Sequence, residues 1–286
     1  MLRKVNRKSL IIRESGRSSD FITPSFGHGC LFNCTYCYMK RNKPTGLDYA
    51  ENIEQILTEV NSHCTFANID KPNQTHSNYT TYDISCNEDF ALHSKYYDWK
   101  YIFQFFVDHP VAMATLATKT IPKEFLDFNP KGKVRIRFSL MPEDLRIVLE
   151  PNTAKIIDRV LAINDFIAAG YDVHINFSPV VIYHGWESSY KNLFEMVDDL
   201  VQDNYKKQVL SEVIFLTHNK KKHEYNLLNG LPGEDLLWKP TLQEDKISSY
   251  GGENIRYARH FKKKSIDMFR ELHNSVIPWN TIRYIF

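Results

Sequence analysis

The sequence predicts an α/β protein built on a parallel β-sheet. Three observations point there. Short β-like runs are each followed by a helix-like run, the order of βα units rather than of a meander. The 286 residues are 43% hydrophobic and 24% charged, which is ordinary for a globular chain and unlike a disordered or fibrous one. No internal repeat at a solenoid or propeller period is present. Periodicity alone leaves a barrel and an open doubly wound sheet both available.

Taken in order, Tyr82–Ser85 reads as a strand and Asp98–Val107 as the amphipathic helix after it. Ala112–Ala117 is the next strand, followed by Pro122–Asp127, where Pro122 suits a first helical turn. In Val134–Ser139, Val134, Ile136 and Phe138 alternate with Arg135, Arg137 and Ser139, the period of a strand. Ala154–Ala169 carries Ile156, Val160, Ile163 and Phe166 near helical spacing, and Gly170 ends it. Asp172–Phe177, Ser189–Asp203 and Ser211–Leu216 continue as strand, helix and strand. Beyond His218 the alternation stops. Residues 219–255 read as loop with Gly, Pro and charge, Ile255–His273 as a basic helix and Thr281–Phe286 as a final strand. The polar stretch Asn68–Asn78 reads as a loop. Six alternations, with a cysteine-rich loop ahead of the second, predict a partial parallel (β/α)6 barrel of the TIM type. Residues 1–218 form it with an N-terminal lead-in, and 219–286 form a C-terminal extension packed on it.

Lys and Arg total 36 against 34 Asp and Glu, for a net charge of +2. No global attraction to polyanions follows, so any nucleic-acid surface must be a local cluster. The aromatic share of 13% is high and leaves rings for core packing or base stacking. The basic start Met1–Leu10 has no apolar run of signal-peptide length, and no stretch approaches the roughly 20 residues that span a bilayer. The expectation is a soluble, cytoplasmic protein.

There are five cysteines, three of them between residues 30 and 37. A disulfide framework predicts neither the odd count nor the crowding, whereas a metal site in a reducing compartment predicts both. Thiolates at Cys30, Cys34 and Cys37 can converge on one centre from a short loop, and they suit iron–sulfur clusters or zinc. Structural zinc nearly always takes four protein ligands, and a fourth Cys at matching spacing is missing. The triplet therefore suggests a [4Fe-4S] cluster with one iron open to another ligand. A zinc site completed by His28, Cys64 or Cys86 is the alternative.

The spacing Cys30-x3-Cys34-x2-Cys37, with Tyr36 before the last Cys, resembles the signature of the radical S-adenosylmethionine (SAM) enzymes. Within that superfamily the chain resembles the spore photoproduct lyases, from about Phe21 to His218 with a weaker tail. The resemblance is carried by Cys34-Thr-Tyr36-Cys37-Tyr38, Ser85-Cys86-Asn87-Glu88-Asp89, Thr118-Lys119, Arg137-Phe138-Ser139, Glu150-Pro151-Asn152-Thr153, Ala169-Gly170-Tyr171 and the run from Ser178 to Glu187. It implies the partial barrel of the radical SAM kind, with a [4Fe-4S] cluster and SAM as cofactors. It also implies reductive cleavage of SAM to a 5′-deoxyadenosyl radical that takes hydrogen from a substrate, here a thymine photoproduct made in DNA by ultraviolet light. An electron donor such as flavodoxin or ferredoxin goes with that chemistry.

The same resemblance distributes roles. Cys86 returns a hydrogen atom to the product radical and Tyr38 relays it. Tyr36 packs at the adenine side of SAM, Lys119 pairs with its carboxylate, and Ser139 donates to that carboxylate or to the ribose. Glu88 stands where the family has a small hydroxyl, and it can bind the methionine ammonium. Two further departures concern DNA. The triplet begins at residue 30, so the expectation is that an N-terminal segment of the spore enzymes is missing. The family's glycine- and arginine-rich hairpin is here Tyr250–Tyr257, with Gly251, Gly252 and a single arginine, Arg256, directly before Tyr257. Two basic runs remain as nucleic-acid candidates: Lys220-Lys221-Lys222-His223, and Arg256, Arg259 and Lys263, interleaved with Tyr257 and Phe261 and expected on one helix face. A radical SAM enzyme on another substrate, or a metal-stabilised nucleic-acid-binding module without catalysis, are the alternatives.

Overall fold

The computed structural model describes residues 1–15, 20–43, 45–66, 76–247 and 251–286. Most of the loop expected over Asn68–Asn78, and Tyr250 of the hairpin, lie outside the described residues. An eight-stranded sheet forms the centre. In spatial order its strands are Arg13–Glu14, Phe21–Ile22, Thr80–Asp83, Ala112–Thr118, Val134–Ser139, Asp172–Val180, Leu210–Phe215 and Thr281–Ile285. Order in space is order in the chain, and every pairing except the first is parallel. A doubly wound sheet would reverse its winding midway; this one winds in a single direction, as a barrel does. The expected partial barrel is therefore found, and the C-terminus supplies a seventh parallel strand.

Side-chain alternation explains how the sheet curls. Phe138 meets Phe166 of the Ile156–Ala168 helix edge to face, with centroids 5.4 Å apart, so the apolar half of Val134–Ser139 faces the helices. The polar half faces the other way. Arg137 reaches Asp83 at 2.8 Å, Glu212 at 3.2 Å and Asp20 at 3.5 Å. Asp83 and Glu212 lie two strands away on opposite sides of Arg137, and Asp20 beside the strand three away; in a flat sheet these separations are about 10 and 14 Å, too far for one guanidinium to span together. The sheet must bend around Arg137 for these contacts to exist.

The elements end where local chemistry dictates. Gly170 adopts φ +94° and closes the Ile156–Ala168 helix. Asp98 caps Trp99–Asp108 by accepting from the Tyr101 amide. The helix read from Ser189 begins earlier, at Trp186, behind Gly185. Ile53–Phe66 is a further helix that the alternation did not bring out.

The C-terminal third departs most from expectation. Residues 219–255 are not loop: they hold the helices Lys220–Leu228 and Glu234–Leu237 and most of an antiparallel hairpin, Gln243–Ile247 with Glu253–Tyr257. Those strands consist mainly of polar residues, so no hydrophobic period marks them. The basic helix spans Arg259–Val276 rather than starting at Ile255. Arg256 pairs with Glu244 in the hairpin and shares no helix face with Arg259 and Lys263. Among the described residues, no helix is long and apolar enough to cross a membrane.

Candidate active site

The cysteine loop leaves the short strand Gly27–His28 and ends in the helical turn Met39–Asn42. Gly29 sits at φ +114°, and a Cβ there would lie 2.6 Å from the Gly46 carbonyl oxygen, so the turn requires glycine. Backbone bonds then tie the loop down: Gly29 N–H donates to the Asn87 carbonyl at 3.1 Å, and Thr35 N–H to that of Leu149 at 2.9 Å. The Asn226 side chain donates to the Thr35 carbonyl at 2.9 Å.

These constraints place the three thiols on one cavity of about 320 Å³. Tyr36, Tyr38, Cys86, Glu88, Lys119 and Ser139 line it too. Nine residues singled out from separated segments therefore meet at the mouth of the barrel. All five cysteines are free thiols. Burial, with Asp89 adding, pushes the Cys30 thiol up to about 12. Burial and the nearby Glu150 raise the Cys34 thiol well above its ordinary value. Three thiolates crowded in such a place need a cationic centre among them, which a thiophilic metal or cluster supplies.

The cavity also holds polar atoms with nothing to bind. Ser139 Oγ and Asn176 Oδ1 are buried without a hydrogen-bond partner among the described residues, and both line the cavity on paired strands. Orphaned buried groups of this kind point to a polar ligand. Asn176 was not singled out from the sequence. Its signal was the polar alternation Asp172, His174, Asn176 inside an otherwise apolar strand.

Glu150 is the second missed residue. It is fully buried and accepts from both terminal nitrogens of Arg159 at 3.1 Å and from the Tyr36 hydroxyl. Lys119 Nζ lies 3.8 Å from it and 6.0 Å from the Tyr36 ring centre. Burial draws the Lys119 pKa down, but Glu150 and Cys34 outweigh it and hold the ammonium charged. The Lys119 amide and the Thr118 hydroxyl both donate to Asp89, at 2.9 and 2.8 Å, which locks the strand end against the Cys86 turn.

In that turn Asn87 adopts φ +70°, and Arg13 approaches Cys86 Sγ at 3.8 Å. Burial, then Asp83, push the Cys86 thiol up to about 12. The Tyr38 hydroxyl donates to Asn87 Oδ1 at 2.9 Å, one residue from Cys86. The Glu88 side chain is fully enclosed. Its oxygens accept from Tyr97 at 3.0 Å and meet His93 Nδ1 at 2.9 Å, so the carboxylate expected at an ammonium already has protein partners.

The basic runs separate. Lys222 and His218 are buried, and His223 stacks on Trp238 with centroids 4.1 Å apart. His218 Nε2 and His223 Nδ1 meet one oxygen of Glu234 at 2.6 and 2.8 Å, hydrogen-bond lengths that close the trio as a structural knot. Lys220 and Lys221 instead line a groove of about 1150 Å³ with Lys246 and Asn42. Arg256, Arg259 and Lys263 are not among its walls. Arg256 is paired with Glu244 at 2.9 Å and Lys263 with Asp267 at 3.7 Å.

Comparison with known proteins gives the chain's relatives and its fold. Residues 4–286 match the model of the family described as spore photoproduct lyase. The spore photoproduct lyase of Bacillus subtilis (strain 168) is 26% identical over 213 residues, 73% of this chain and 59% of that protein. That of Geobacillus sp. (strain Y412MC61) is 24% identical over 194 residues, 66% of this chain and 54% of that protein. This chain thus spans less than two thirds of those two relatives. Among solved structures, a cysteine-to-alanine variant of spore photoproduct lyase with dinucleoside spore photoproduct superposes with a TM-score of 0.88 at 20% identity, over 100% of this chain and 82% of that one. A double variant with bound AdoMet and the same dinucleoside gives 0.87 at 19% identity, with the same coverage. The fold is shared along the whole described chain.

Proposed function

The chain belongs to the spore photoproduct lyase family, and from that premise we propose that it is a radical SAM lyase acting on a thymine photoproduct in ultraviolet-damaged DNA. The observation that carries this reading is the convergence of the three thiols, Lys119, Ser139 and Cys86 on one cavity. A [4Fe-4S] cluster held by Cys30, Cys34 and Cys37 would supply the electron that splits SAM into methionine and a 5′-deoxyadenosyl radical.

The chain's own residues do the rest. Lys119, kept cationic by Glu150, offers its ammonium to the SAM carboxylate. Ser139 Oγ and Asn176 Oδ1 are the unpaired polar atoms that take the ribose or ammonium. Tyr36, anchored through its hydroxyl to Glu150, forms a wall for the adenine. Cys86, held as S–H, gives its hydrogen atom to the product radical: the S–H bond breaks, a C–H bond forms and a thiyl remains. Tyr38, hydrogen-bonded to the neighbouring Asn87, returns a hydrogen atom to that thiyl: its O–H bond breaks, the S–H bond re-forms and a tyrosyl radical remains. DNA phosphates run along the groove of Lys220, Lys221 and Lys246. Asn42 on its wall and Met39 in the cavity belong to one helical turn, so groove and cavity adjoin. A damaged base swings out of the duplex to enter, at a cost of a few kcal/mol.

The test is anaerobic reconstitution with iron and sulfide, then reduction with SAM and ultraviolet-damaged DNA. A brown protein that releases 5′-deoxyadenosine and restores thymine is expected, with flavodoxin or ferredoxin able to replace the chemical reductant. SAM cleavage without thymine would assign another substrate to the same radical chemistry. Colourless, zinc-bound protein without SAM cleavage would overturn the enzyme reading.

A further inference from the structure

We propose that Glu88 and His93 form a buried strut that sets the position of the cysteine loop against the Cys86 turn, making both of them positioning residues. The inference rests on the reading above, in which Cys86 quenches a substrate radical in this cavity.

Glu88 lies two residues beyond Cys86, on the same turn. His93 ends the short helix Phe90–His93. His93 Nδ1 is 2.9 Å from Glu88 Oε2, and neither side chain has any solvent exposure. On its other side, His93 Nε2 is 3.3 Å from the backbone N–H of Leu31, the residue after Cys30. A backbone N–H can only donate, so Nε2 must carry the lone pair. A neutral imidazole then holds its proton on Nδ1 and donates it to Glu88. The carboxylate thereby selects the tautomer that the loop requires. Tyr97 donates to the same carboxylate at 3.0 Å and keeps it from rotating.

The fold makes room for this arrangement. A Cβ on Gly27 would lie 2.3 Å from the Glu88 carboxyl carbon, so the absent side chain at residue 27 is the space the carboxylate occupies. The strut runs from the Cys86 turn through an imidazole to the residue beside the first thiol. With the Gly29–Asn87 bond it gives the start of the loop two attachments, two residues apart, while the Tyr38–Asn87 bond holds the far end. One attachment lets the start of the loop pivot; two set its angle. Quenching a radical depends on the separation between Cys86 and the substrate held at the cluster side, and an error near 1 Å is costly.

The test compares wild type, His93→Phe and Glu88→Gln after anaerobic reconstitution. Phenylalanine keeps the ring volume and removes both nitrogens, whereas glutamine keeps an acceptor for Nδ1–H. Three quantities are read: iron content, hydrogen exchange at the Leu31 amide, and 5′-deoxyadenosine released per thymine restored. In His93→Phe, iron should stay at the wild-type level, Leu31 should exchange faster, and SAM consumed per repair should rise by about tenfold or more. Glu88→Gln should leave Leu31 exchange near the wild-type rate, because glutamine still accepts from Nδ1–H. Unchanged exchange and an unchanged ratio in His93→Phe would overturn the strut. If that variant does not fold, ¹⁵N shifts of His93 in metal-free wild type decide: the Nδ1–H tautomer supports the strut and the Nε2–H tautomer overturns it. Wild type that cleaves no SAM would instead overturn the functional reading, while the exchange and tautomer measurements would still judge the strut.

Discussion

A thiol can give up a hydrogen atom only while it still carries one, and burial keeps the Cys86 proton in place well above neutral pH. Cys86→Ala should therefore leave cluster assembly and SAM cleavage intact, since neither needs that thiol. The substrate radical would form and then lack its quencher, so abnormal adducts should replace the repaired product. If Cys86 only filled space, the same change would cost on the order of 1 kcal/mol and leave product identity alone. Product analysis by mass spectrometry separates the two outcomes. The triplet offers a simpler check. Three ligands leave no redundancy, so Cys30→Ala, Cys34→Ala and Cys37→Ala should each lose the cluster and SAM cleavage. Full iron content in any one of them would break the ligand assignment.

At the scale of elements, the strands carry their charge inward. Asp172 and His174 of one strand, Arg135 and Arg137 of the next and Glu212 and Arg283 beyond form a buried polar lattice. His174 accepts from Arg283 on Nδ1 at 2.7 Å and lies 3.2 Å from Asp172 through Nε2, a pattern that needs the neutral ring. Burial, then Arg135, bring its pKa down to about 4. The unfolded chain takes up that proton near about pH 6.5. Between those values the unfolded state binds a proton the folded state refuses, so stability must fall as pH drops through this window. Above it the contribution of this ring is constant. The loss should approach on the order of 3 kcal/mol at the lower end of the window. Melting temperatures from pH 7 to 4 should fall more steeply for wild type than for His174→Gln; parallel curves would show that the ring already binds its proton when folded.

At the scale of the whole molecule, near-zero net charge makes the location of the cations decisive. Lys220, Lys221 and Lys246 share a groove that adjoins the site, and Arg256, Arg259 and Lys263 lie outside it. Lys220→Glu with Lys221→Glu should weaken DNA binding and reduce the slope of log K against log salt by about one for each phosphate that is no longer neutralised. Arg259→Ala with Lys263→Ala should change that slope less. Titrations at several salt concentrations check this, and the reverse ranking would move the DNA to the basic helix.

By itself the sequence determined the parallel α/β winding, the crowding of three cysteines in one loop and most of the residues that come to share the cavity. Those depend on local signals: the period of Val134–Ser139, the stop at Gly170, the spacing of Cys30, Cys34 and Cys37. Only the tertiary structure decided which side of each strand faces the lumen, and so that Arg137 is a buried hub, Asn176 a cavity wall and Glu150 the anchor of Tyr36 and Lys119. It also decided that residues 243–257 are a hairpin and that Arg256 stands apart from Arg259. Each of these turns on neighbours far away in the chain. A polar residue in a strand reads alike whether water or a buried partner satisfies it, and only the closing of the sheet chooses between them.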